Sequence, residues 1–300
     1  AISSKVYIVH VIKAILEGKK VIGMVAPAAE GEFGKDVTME SWRTALKKVG
    51  FADMVEVSVG ADFTTVYEAE EWVEAYKEGK KMTTSCCPAF VNLIKKHYPT
   101  LIDNISTTVS PMVATSRMLK AQDPDVVTVF IGPCMAKKSE AADKTIENNA
   151  DYVLTYGEAI EMMRAKNVEL EPEELKNHQA SAAAKRFANG GDVTAAVLQH
   201  LKEEGIEADV KVAKVSGGAD VKKALLLMKV NRLPEDFIEA MMCDGGCVGG
   251  PSNLKAEAAF KKDRDAQINA TPARKISDTL KEYDMNSFSM HRDHHAKAED

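Results

Sequence analysis

The chain has 300 residues, 45% of them hydrophobic and 28% charged, enough for one large core or two lobes and unlike the composition of a disordered or collagen-like chain. A formal net charge of -6 and a pI near 5.8 remove the basic footprint that nucleic-acid binding needs, so no nucleic-acid partner is expected. The apolar runs fall short of the roughly 20 residues that cross a bilayer, and an N-terminus interrupted by Lys5 and His10 does not read as a signal peptide; the expected setting is the cytoplasm, with no membrane partner.

In chain order, Val6 to Leu16 reads as a helix too apolar for a free surface, so residues 1–18 should pack on a neighbour or on a missing upstream domain. Val21 to Ala26 is a short continuous apolar run stopped by Pro27, the pattern of a buried parallel strand. Helix Val37 to Val49, strand Met54 to Val59, helix Asp62 to Lys77, strand Lys81 to Ser85 and helix Pro88 to His97 follow. Ser110 before Pro111 starts a further helix, to Lys120. A second series has strands Val126 to Ile131 and Tyr152 to Thr155, helix Gly157 to Lys166, a helical stretch from Glu171 to Phe187 and helix Val193 to Glu204. Strand Val210 to Val215, helix Asp220 to Val230 and strand Phe237 to Met241 complete it. This alternation predicts an α/β fold with two lobes, 19–122 and 123–251, each a mostly parallel four-stranded sheet flanked by helices. Residues 252–300 are expected to form a helical segment, Ala256 to Asp284, and a polar tail, Met290 to Asp300, that frays.

Five cysteines, an odd number in a reducing setting, are poor disulfide material. All five fall in three short motifs: Thr84-Ser-Cys86-Cys87-Pro88, Gly132-Pro-Cys134-Met-Ala-Lys137, and Cys243-Asp-Gly-Gly-Cys247-Val-Gly-Gly-Pro251. Any one alone reads equally well as a small buried hydrophobe. Together, each beside Gly or Pro at a strand end, they read as ligands gathered where parallel strands end, in a cleft between the lobes. Converging thiolates suit zinc or an iron-sulfur cluster. Spacing favours the cluster, because adjacent, single and CxxxC cysteines replace the paired CxxC knuckles usual for structural zinc.

At these residues the chain resembles the catalytic domain of the FeFe hydrogenases, which carry TSCCP, PCxxKxxE and CxxxCxxGG loops; here these are Thr84 to Pro88, Pro133 to Glu140 and Cys243 to Gly250. The similarity runs from about Lys19 to Pro251 and includes Val25 to Ala28, Gly60 to Asp62 and Asp151 to Thr155. The resemblance implies an H-cluster: a 4Fe-4S cluster joined through one cysteine sulfur to a diiron subcluster carrying CO, cyanide and a bridging dithiolate amine. By position, Cys87, Cys134, Cys243 and Cys247 would be the iron ligands, with Cys247 as the bridge and Cys86 a free, proton-passing thiol. Lys137 would donate to a diiron cyanide with Glu140 fixing it, Ala26 and Pro27 would approach the other cyanide, and Met241 would pack over the diiron unit. Glu68, Glu71 and Ser106 match the family's proton relay; Glu68 and Glu71 lie three apart on one helix face, where Glu70 and Glu74 offer a competing reading as a solvated acidic surface.

Ala28, Met112 and Gly132 depart from the serine, glutamine and methionine of the hydrogen-producing enzymes, a pattern similar to the sensory branch and one that implies a retuned, slower site. The implied reaction is reversible interconversion of hydrogen with protons and electrons. With no CxxCxxC run in the chain, electrons would come from a partner such as ferredoxin or from a missing iron-sulfur domain; maturation proteins would supply the diiron unit, and signalling domains would flank a sensor. The rival reading is a non-catalytic iron-sulfur protein of the hydrogenase-like assembly-factor type, against which Cys86 and Lys137 argue.

Overall fold

The computed structural model describes residues 5–207 and 209–297; the first four residues of the expected N-terminal segment and the last three of the expected tail lie outside them. The chain runs α1 (Ile8–Leu16), β1 (Val21–Val25), α2 (Met39–Val49), β2 (Asp53–Glu56), α3 (Ser58–Lys77), β3 (Met82–Thr83), α4 (Pro88–His97) and α5 (Pro111–Gln122). Then come β4 (Val127–Gly132), α6 (Ala136–Ala141), β5 (Tyr152–Thr155), α7 (Tyr156–Ala165), α8 (Ala182–Arg186) and α9 (Asp192–Glu203). It closes with β6 (Val212–Ser216), α10 (Gly218–Lys229), β7 (Phe237–Met241), α11 (Glu257–Asn269) and α12 (Ile276–Leu280).

The expected α/β architecture of parallel sheets flanked by helices is present. One sheet has four strands in the order β2-β1-β4-β5; the other has three, β3-β7-β6, rather than the four expected. Each sheet takes strands from both sides of residue 122, so that boundary does not separate the sheets. Burial explains the interleaving. β1 and β7 are buried at every position and β4 at all but its first, and such strands need helices on both faces and partners on both edges. They take the central places, leaving the half-polar β2, β5 and β6 and the two-residue β3 at the edges. Alternate side chains then feed two cores: Ile22, Met24 and Phe130 pack with α3 and α5 residues such as Phe63 and Met112, while Val21, Val25, Val129 and Ile131 pack with Trp42 and Leu46 of α2.

Three further expectations are corrected. The stretch 171–181 is not helical: Glu173 N–H bonds to Asp36 O at 3.1 Å and Thr38 Oγ1 donates to Glu173 O at 2.6 Å, so its backbone is spent on a neighbouring segment. The C-terminal helix is two helices, broken around Pro272. The tail does not fray over its described length: Met290 and His294 are buried, and Val109 N and Arg292 N bond to Met290 O and Thr107 O, each at 2.8 Å. Helix α1 packs Val11 and Ala14 into the second core while Val9 and Leu16, 72% and 79% exposed, face outward.

Candidate metal centre

All five cysteines line one cavity of about 250 Å³ at the carboxyl ends of β1, β4 and β7, together with Ala26, Pro27, Ala28, Met112, Lys137 and Met241. The three cysteine loops thus meet in one place, beside the point where the chain moves from β1 to β2 on one side and to β4 on the other. Cys87 ends the β3 loop as the residue before α4, whose Pro88 needs no N–H partner in the first turn. Cys134 follows β4 and accepts hydrogen bonds from the Ala136 and Lys137 backbone. The Cys243–Cys247 loop turns through Gly246 at φ 98, where an added Cβ would lie 2.5 Å from Gly190 N and 2.6 Å from Ala188 O; only glycine fits. Asn253 Nδ2 closes the loop by donating to Cys247 O and Val248 O.

The donor set fits a cluster. The thiols are partly exposed, but into the cavity, and burial still pushes Cys134 up to about 11 and raises Cys86, Cys243 and Cys247; neighbouring sulfurs add to each shift. Thiolates that repel one another around a common space call for a cationic centre between them.

Lys137, 8% exposed, is held by Glu140 Oε2 at 2.6 Å and Ser110 Oγ at 2.8 Å, with Cys86 O at 3.4 Å. Burial would lower its pKa, but Glu140 outweighs that and raises it, so the ammonium stays charged. Ser110 precedes α5 as expected, yet its hydroxyl serves Lys137 rather than the helix end. Glu140 stands behind Lys137 and does not line the cavity. The Ala26 N–H is spent on Ile131 O at 2.9 Å, so Ala26, like Pro27, can offer only carbonyl and van der Waals surface. Gly132 is enclosed: an added Cβ would meet the Phe130 ring at 2.6 Å, the aromatic side chain occupying the space beside it.

Glu68, Glu71 and Ser106 lie outside the cavity lining. On α3, Glu70 and Glu74 are exposed while Glu68 is fully buried with neither carboxylate oxygen hydrogen-bonded. Burial, then Glu71 and Glu239, push Glu68 well above the usual carboxylate range, and Glu68 in turn helps raise Cys86. Burial works in the same direction on Glu71, but bonds from His291, Thr107 and Ser106 prevail and hold it low. Burial thus favours the protonated form of Glu68, whose charge would act on both the Cys86 thiol and Glu71.

Several supporting residues carry no sequence signal. Arg264 of α11 is buried and donates to Pro27 O at 2.6 Å and Lys185 O at 2.9 Å, fixing the turn that lines the cavity. Lys185 Nζ lies 3.1 Å from both Glu30 and Glu56. Glu239, buried inside β7, accepts from Gly191 N, Thr194 N and Thr194 Oγ1 and so caps α9. Each is an ordinary charged residue whose role depends on what the fold places beside it.

A sequence model described as "Iron only hydrogenase large subunit, C-terminal domain" matches residues 19–251. Iron hydrogenase 1 of Clostridium pasteurianum is 30% identical over 77% of this chain and 50% of its own, so the chain spans about half the length of that relative. The periplasmic Fe hydrogenase large subunit of Nitratidesulfovibrio vulgaris is 29% identical over 81% of this chain and 71% of its own. The cytosolic Fe-S cluster assembly factor narfl of Xenopus tropicalis is 23% identical over 83% and 65%. A variant of the FeFe hydrogenase HydA1 from Chlamydomonas reinhardtii shares the fold, with a TM-score of 0.74 at 22% identity over 91% of this chain and 93% of that one. The chain therefore belongs to the iron-only, or FeFe, hydrogenase large-subunit family, through its C-terminal domain.

Proposed function

We propose that the chain is a hydrogenase domain that reversibly interconverts hydrogen with protons and electrons at an H-cluster held in the cysteine cavity. The convergence of Cys86, Cys87, Cys134, Cys243 and Cys247 on one cavity carries the reading. Cys87, Cys134, Cys243 and Cys247 would hold a 4Fe-4S cluster, with Cys247 shared with the diiron subcluster. When bound, the cluster would supply one-electron transfer and the diiron unit the site at which hydrogen is split or formed. Lys137, kept charged by Glu140 and Ser110, would direct its donors at an anionic ligand such as cyanide. Met241 would close the apolar side and keep water out. Cys86 would hold a proton as a neutral thiol and exchange it with Glu68, and Glu71 and Ser106 would extend the path outward.

Ala28 and Met112 line the cavity where hydrogen-bonding side chains stand in production enzymes, and Phe130 takes the space beside Gly132. Fewer groups tune the occupant, which supports slow turnover or a sensory role. Electrons would come from a ferredoxin-like donor or an iron-sulfur domain. No helix among the described residues is long and apolar enough to cross a membrane; of the relatives one is named cytosolic and one periplasmic, and the cytoplasmic setting stays part of this proposal. The assembly factor among the relatives favours a second reading, an iron-sulfur protein without hydrogen chemistry. Iron content and infrared spectra after cofactor loading separate the two. CO and cyanide bands with hydrogen uptake are expected; iron and sulfide without those bands, and no uptake, would establish the second reading.

A further inference from the structure

Beyond residue 251 the chain returns to the mouth of the Glu68–Glu71 path. Residues 289–294 lie along 106–109: Thr108 and His291 form an antiparallel bridge, Arg117 Nη1 donates to Ser289 O at 2.7 Å and His291 O at 2.9 Å, and His294 Nε2 bonds Ser106 O at 2.8 Å. This strap sets the His291 Nδ1 atom 3.1 Å from Glu71 Oε1 and 2.8 Å from Thr107 Oγ1. Thr107 Oγ1 gives its own proton to Glu71 Oε1 at 2.5 Å, so both atoms facing the ring nitrogen are acceptors. Nδ1 must carry a proton. The ring side chain is 47% exposed, so its other side reaches water.

We propose that His291 is the outer proton-exchange group of this path, passing protons between water and the Glu71 carboxylate. The inference rests on the hydrogenase reading and extends it by one residue, outside the part of the chain that the family model matches. Inward, the imidazolium gives its Nδ1 proton to Glu71, leaving a neutral acid and a neutral ring protonated at Nε2; the ring tautomerises through water, returning a proton to Nδ1 and freeing Nε2, which then takes a proton from water and restores the imidazolium. Outward, the same steps reverse, and no electron moves. The charged and titratable groups facing the ring are Glu71, Glu70 and Tyr67 from α3 and Arg117 from α5. The Glu71 hydrogen bond and charge and the Glu70 charge outweigh partial burial and Arg117, raising the imidazole above its ordinary 6.5 and so favouring the charged ring.

The test uses the full chain. In NMR titrations before cofactor loading, the His291 ring should titrate above 6.5, and Glu71→Gln should bring it down; a ring at 6.5 in both would overturn the coupling whether or not the protein is a hydrogenase. After loading, His291→Ala should slow hydrogen uptake by at least about tenfold, less than the roughly hundredfold or more for a group at the reacting atoms because Glu71 remains. Its CO and cyanide bands should not change, and imidazole buffer should restore the rate. His291→Asn keeps a donor to Glu71 and the backbone docking but cannot exchange protons. It should be as slow as His291→Ala, and rates and pH profiles equal to wild type in either variant, with intact bands, would overturn the proposal. Absence of those bands in the wild type would count against the hydrogenase reading instead, leaving the titration to decide the His291–Glu71 coupling.

Discussion

The cysteine cavity and the C-terminal strap are both assembled from segments far apart in the chain, yet they are built differently. The cavity gathers residue types restricted by chemistry, thiols and glycines, on loops that end parallel strands. The strap and the preceding α11 use common residues, Arg264, Gln267, His291 and His294, whose partners are mostly backbone carbonyls on earlier segments. Gln267 alone bonds Gly31 N, Lys35 O and Val37 O. The difference teaches that a site's ligands and its supports obey different constraints. Ligands are fixed by bonding to a metal, whereas supports need only satisfy a buried polar group and can be supplied from anywhere the chain passes.

Removing Lys137 attacks the cavity side of that comparison hardest. Lys137→Ala leaves Glu140 buried and unpaired, which should cost about 3–5 kcal/mol in denaturant unfolding; a loss under 1 kcal/mol would mean that the pair is solvated. On the strap side, Arg264→Ala frees the carbonyls of Pro27 and Lys185 and should cost about 2–5 kcal/mol. Hydrogen exchange should quicken at residues 27–31, and unchanged exchange there would remove Arg264 from the support of the cavity.

Acid should loosen the strap. Burial depresses His294 to about 4, aided by Arg292 and Lys95 and opposed by its Ser106 bond and Glu71. The unfolded side chain binds a proton below about 6.5 while the folded one does not until about 4. Stability is therefore lost as pH falls across that window, by about 3 kcal/mol in all. His291 has the opposite sign: its contribution is full below 6.5 and fades as pH rises through its raised folded value. Proteolysis of the strap should accelerate from pH 6.5 toward 4.5, and His294→Gln, which can still donate to Ser106 O, should flatten that limb. The smallest effect is expected at Gly132→Ala, where the Phe130 ring must move, at about 1–3 kcal/mol by thermal melting.

Local signals carried much of the architecture. The apolar runs at Val21 to Val25 and Phe237 to Met241 announced doubly covered strands, and Pro88 and Pro111 announced helix starts. Which sheet each strand joins was not legible, because β3 and β4 offer the same backbone donors to either sheet, and in the fold β4 pairs centrally between β1 and β5 while β3 pairs at the edge with β7. The helical reading of Glu171 to Phe187 held for Ala182–Arg186 and failed over 171–181, where Thr38 and Asp36 bond the Glu173 backbone across more than 130 residues.

Residue type and local spacing set the alternating elements and the three thiol loops, whereas only the family resemblance singled out Glu68 and Glu71 over Glu70 and Glu74 on the same helix. Tertiary structure alone decided that the thiols share one cavity, that Glu68 is buried while Glu71 is hydrogen-bonded by Thr107, and that His291 is brought within 3.1 Å of Glu71. Burial and proximity set those properties, and both arise only when distant segments exclude water from one another.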